Sequence, residues 1–170
     1  MDARDSTRTV SSNDPSSAVL VALRRIIRAT DIYSQKLRKT VGLTTPQLLV
    51  LQAASQGDEI SLGRIASELK LSQATVSNIV DRLEGRDLVT RERSPADKRR
   101  FNVHLTSAGQ AVLDEAPGLL QERFVDRFAR LPDWERSMIV AALQRTAALM
   151  DADEIDAAPV LYSGDVVSPR

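Results

Sequence analysis

Positions Leu20, Leu23, Ile27, Thr30, Ser34, Leu37 and Val41 recur at three- and four-residue steps, the period of a helix with one face turned inward. Arg24, Arg25, Arg28, Lys36 and Arg38 lie off that stripe, and Gly42 is a suitable C-cap, so a first helix ends near Val41. Thr44-Thr45-Pro46 supplies a cap residue and an early proline for a second helix carrying Leu48, Leu49, Leu51 and Ala54, which Gly57 closes. Ile60 fits one short strand. Ser61 then caps a third helix with Leu62, Ile65, Ala66 and Leu69 on one face, and Ser72 caps a fourth with Val76, Ile79, Val80 and Leu83.

The helical period is lost from Leu88 to Arg93, and Ser94-Pro95-Ala96-Asp97 is turn chemistry. A return strand at 101–105 alternates Phe101, Val103 and Leu105 with Asn102 and His104, which predicts a β-hairpin with the first set turned to one side. Thr106 or Ser107 caps a long helix, which Pro117-Gly118 must kink or divide. A last helix opens at Pro132-Asp133-Trp134 and carries Met138, Ile139, Ala142, Leu143, Ala147 and Met150. The expected fold is mainly α with a small β-hairpin. Residues 1–15 read as a disordered leader, 16–150 as a single domain, and 151–170 as an acidic tail.

Composition narrows the function classes. The chain has 170 residues, of which 42% are apolar and 27% charged, without a bilayer-length apolar run or a secretory signal pattern. The expected location is the cytoplasm, with no membrane partner. The absence of cysteine removes disulfides, thiolate metal sites and thiol redox sensing. One histidine leaves no multi-His metal site, and no cofactor is expected. Neither a Gly-x-Ser-x-Gly elbow nor a phosphate-cradling glycine loop occurs, so the chain does not read as an enzyme. The zero net charge hides a polarity along the chain. Residues 61–104 hold nine Lys or Arg against six acids, whereas 151–170 hold one Arg against five.

Two short helices joined by a tight turn and followed by a basic hairpin have the order of a winged helix-turn-helix, residues 44–106. With Val76 taken as the core direction, Ala74, Asn78 and Asp81 fall opposite, and Thr75, Ser77 and Arg82 lie on the shoulders. Ser72, Gln73, Ala74, Thr75, Ser77, Asn78 and Arg82 are therefore the candidate DNA-reading residues. Small and polar groups let a helix enter the major groove and hydrogen-bond base edges or phosphates. Arg82 has two readings at this point, a phosphate contact or a partner of Glu84 or of a neighbouring helix. The hairpin gathers Arg91, Arg93, Lys98, Arg99 and Arg100, and a narrow cationic wing suits the negative potential of a minor groove. Asp97 fits the orientation of a neighbouring arginine, Arg64 a solvated position on the brace helix, and His104 an outward polar position.

The run from Leu71 to Glu84, the exit Gly85-Arg86-Asp87-Leu88-Val89, and the segment Asp97-Lys98-Arg99-Arg100-Phe101-Asn102-Val103-His104-Leu105-Thr106 together resemble the MarR family of regulators. The similarity spans roughly residues 18–150. It implies that Arg99 reaches the minor groove with Asp97 as its partner, and that helices 18–41 and 107–150 form a homodimer interface. Their wide apolar stripes independently call for a partner subunit. The resemblance also implies a small-molecule effector pocket near Tyr33 and Trp134, although core packing is the alternative for both. The expected function is a double-stranded DNA-binding transcription regulator, a repressor released by an effector. The competing reading is a winged-helix module that binds another protein instead of DNA.

Overall fold

A computed structural model describes residues 14–57, 60–94, 101–152 and 155. Helix α1 spans Pro15–Val41, with Asp14 as its N-cap accepting from the Ser16 N–H at 3.2 Å. Proline at the first helical position needs no amide partner, so the helix starts inside the stretch expected to be leader. At the other end Gly42 takes φ 68° and returns its N–H to the Arg38 carbonyl. Helix α2, Thr45–Ser55, is opened by Thr44, whose N–H donates to Gln47 Oε1 at 2.9 Å. Strand β1, Ile60–Ser61, leads into α3, Leu62–Leu69, which Ser61 Oγ caps through the Arg64 N–H.

Helix α4 spans Gln73–Glu84, β2 Val89–Arg93 and β3 Phe101–Leu105. The sheet order is β1-β3-β2, antiparallel throughout, with Ile60 opposite Val103 and Arg91 opposite Val103 on the other side. The expected hairpin is therefore the larger part of a three-stranded sheet. Helices α5, Ser107–Glu115, α6, Leu120–Ala129, and α7, Asp133–Leu149, complete the described chain. The helix expected after Thr106 is divided rather than kinked, because Ala116 and Leu119 adopt extended ψ values around Pro117-Gly118.

The buried apolar cluster runs from Leu37 to Leu119 and unites the end of α1, α2, α3, α4 and the sheet. Gly109 on α5 sits against the exit of α4. A Cβ there would stand 2.1 Å from the Leu88 carbonyl oxygen, so this close approach requires glycine. Thr106 locks the same seam. Its hydroxyl donates to the Asp87 carbonyl at 2.6 Å and accepts from the Gly109 N–H at 3.0 Å.

One prediction about β3 is reversed at its start. Phe101 is 39% exposed while Asn102 is 7% exposed. The alternation presumed one wet face, but Asn102 lies in the central strand between Ser61 and Glu92, whereas Phe101 stands at the wing end opposite Arg93. Among the described residues, no helix is long and apolar enough to cross a membrane.

Candidate nucleic-acid interface

Helix α4 buries Val76, Ile79, Val80 and Leu83, at steps of three and four residues, so the opposite face is free to point outward. Gln73, Ala74, Asn78, Asp81 and Arg82 are exposed on it, and Thr75 and Ser77 are half-buried at its flanks. Ser72 is exposed too, but its hydroxyl is engaged locally. It accepts from the Thr75 N–H at 3.0 Å and lies 2.8 Å from Thr75 Oγ1. The cap thus orients the first turn, whose unpaired N–H groups and partial positive charge suit a phosphate. Gln73 lies across the brace helix, with its Nε2 3.1 Å from where a Cβ on Gly63 would stand.

Arg91 has a different task from the free wing cation expected of it. Its Nε donates to Glu84 Oε2 at 2.9 Å, its backbone N–H donates to Glu84 Oε1 at 3.2 Å, and its Nη2 pairs with Asp81. Burial alone would lower the guanidinium's pKa, but the hydrogen bonds and charges of Asp81 and Glu84 outweigh it and raise it. Arg91 therefore clasps β2 to the outer end of α4 and neutralises Asp81, an acid on the face expected to meet phosphates. Strand parity carries the missed signal. Arg91 shares the side of buried Val89, two residues before it, and so points inward toward α4. With Glu84 engaged by Arg91, Arg82 is exposed and has no ion-pair partner among the described residues.

Arg93 lies over the Phe101 ring, with its guanidinium carbon 5.8 Å from the centroid, which holds one exposed cation at the end of the wing strands. His104 is half-buried, its Nε2 3.9 Å from Glu92 Oε2, rather than fully outward. Asp97, Lys98, Arg99 and Arg100 lie outside the described residues.

The two aromatic residues assigned to an effector pocket are not brought together. Tyr33 packs against the core, and its hydroxyl donates to the Pro117 carbonyl at 3.2 Å, across the break between α5 and α6. Trp134 is 66% exposed at the start of α7, so it does not pack in the core of the single chain. The groove of about 480 Å3 on the long helices lies instead between α6 and α7, lined by Leu120, Phe124, Phe128, Leu131, Ile139 and two arginines.

A brace helix, a capped helix with a polar outer face and an antiparallel wing clasped to it define a winged helix-turn-helix protein. The MarR family model matches residues 43–101, from the start of the helix pair to the wing. It is 37% identical over 83 residues to the HTH-type transcriptional regulator MgrA of Staphylococcus aureus, covering 49% of this chain and 56% of that protein. The chain thus spans about half the length of this curated relative. Among solved structures, the transcriptional repressor CouR bound to a 23-mer DNA duplex is 28% identical, with a TM-score of 0.56, covering 82% of this chain and 99% of that one. BpsR of Bordetella bronchiseptica, solved to explain regulation of its DNA binding by 6-hydroxynicotinic acid, is 27% identical, with a TM-score of 0.54, over 82% and 96% of the two chains.

Proposed function

We propose that this protein is a transcription regulator that binds double-stranded DNA as a homodimer, with α4 in the major groove and the wing over the adjacent minor groove. The observation that carries this reading is the outer face of α4, where Ala74, Asn78 and Arg82 are exposed on a helix whose other side is locked into the core. Asn78 has the geometry for a bidentate contact to adenine, and Ala74 can meet a thymine methyl. Arg82 and Arg93 serve as phosphate contacts, and Arg99, with Asp97 orienting it, is the minor-groove residue. Lys98 and Arg100 add charge to the wing tip.

The dimer reading is supported by apolar side chains left exposed on α1, α6 and α7, among them Leu20, Ile27, Phe124, Met138 and Leu143. A two-fold dimer reads a pseudo-palindrome with half-sites ~10 bp apart. The protein acts as a repressor, and a small molecule releases it by favouring a dimer geometry in which the recognition helices no longer match that spacing. The BpsR likeness supports an effector of this general kind.

Selection of bound duplexes from a random pool, with affinity followed against salt, tests the reading. Enrichment of a pseudo-palindrome is the expected result. Weak, salt-sensitive binding with no enriched sequence would overturn it in favour of a protein-interaction module.

A further inference from the structure

Helix α1 has two occupations along its length. Its 27 residues make a rod of about 40 Å. Val19, Leu20, Ile26, Ile27 and Ile32 are exposed along its first two-thirds, while Leu37 and Val41 are buried in the core near its end. The last carbonyls of a helix lack intrahelical partners and carry a partial negative charge. At α1 these are met from far along the chain. Arg86 Nη1 donates to the Gly42 carbonyl at 2.8 Å and Nη2 to the Val41 carbonyl at 3.2 Å.

Arg86 belongs to the exit of the recognition helix. Its own N–H returns to Leu83, and those of Asp87 and Leu88 return to Glu84 and Leu83, so the backbone presenting the side chain is tied to the last turn of α4. The fit at the other end is close. A Cβ on Gly42 would stand 3.3 Å from Arg86 Nη2, and Gly42 holds a left-handed φ that favours glycine. A planar fork can span two successive carbonyls, whereas an ammonium offers a single point of charge.

We infer that Arg86 is a positioning residue that fixes the recognition helix to the end of the dimerisation rod, and so sets the separation of the two recognition helices in the dimer. The inference rests on the dimeric DNA-binding reading above. An arginine that merely capped α1 would add stability without affecting which operator spacing is preferred. The coupling role makes spacing the sensitive quantity.

The test uses the full chain and a set of palindromic duplexes whose half-site separation is changed one base pair at a time, together with a duplex carrying a single half-site. The wild type is expected to show a sharp optimum. Arg86→Ala should lose roughly 3- to 10-fold in affinity at that optimum and little at neighbouring spacings or on the single half-site, so that its profile flattens. Arg86→Lys should fall between the two. Thermal midpoints measured in parallel report any loss of folding, and such a loss affects every duplex alike. An equal loss on all duplexes, or an unchanged profile, would overturn the inference and leave Arg86 as a helix cap. A wild type with no preference for any palindrome would overturn the DNA-binding reading itself, a result visible before any variant is compared.

Discussion

The region from Leu37 to Leu119 and the arm formed by α6 and α7 are built from similar residues and end in opposite states. The first buries a continuous apolar cluster, with Leu48, Leu51, Ile65 and Leu83 wholly enclosed. Neither α6 nor α7 buries any residue, although Phe124, Val125, Met138, Val140 and Leu143 lie along them. Hydrophobicity alone does not distinguish these regions; what differs is whether another layer of the same chain lies opposite. The part that carries α4 and the wing strands closes on itself, and the arm leaves its apolar side chains uncovered.

The largest effect that would separate the two comes from the core. Leu51→Ala should lower stability by about 2 to 5 kcal/mol, because the side chain is enclosed and its removal leaves a cavity. Chemical unfolding checks this, and a shift of a few tenths of a kcal/mol would mean that the cluster is looser than its enclosure implies. Met138→Glu combined with Leu143→Glu should act differently. Both side chains are exposed in the single chain, so helical content should persist while sedimentation shows monomers. A dimer that survives both charges would place the interface elsewhere.

The smallest effect probes the seam between the regions. Burial and the nearby Glu122 carboxylate push the Tyr33 phenol up to about 12. The unfolded phenol titrates at about 10, so the neutral, hydrogen-bonded form contributes fully below that value. Its contribution is lost as pH rises from 10 through 12. Tyr33→Phe should therefore show a shallower fall in thermal midpoint over that interval than the wild type. Parallel curves would remove Tyr33 from the seam.

Much of this architecture was legible because local chemistry and tertiary packing agree. Ser61, Ser72 and Thr106 cap helices by side-chain hydrogen bonds to nearby backbone N–H groups, and the three- and four-residue steps of α4 bury the side they mark. Three features required knowledge of neighbours that no window of sequence contains. Asn102 is buried because strands pair on both sides of it. Trp134 is exposed because periodicity defines an apolar face without saying which layer covers it. Arg91 turns inward because Asp81 and Glu84 stand on a helix ten and seven residues earlier, and only the fold brings them within reach. The candidate reading face of α4 was nearly complete from periodicity, while the ties that hold it, Arg91 to α4 and Arg86 to α1, came from the structure.

The clasp of Arg91 has a consequence for solution thermodynamics. Cation release from DNA tracks the phosphates a protein neutralises, at about 0.9 per contact in the slope of log affinity against log salt. A guanidinium already balanced by two carboxylates brings no unspent charge to that exchange. Under the proposed function, a count of wing arginines overstates the ionic-strength sensitivity of binding, and Arg91 acts as an internal counterion rather than as an external one.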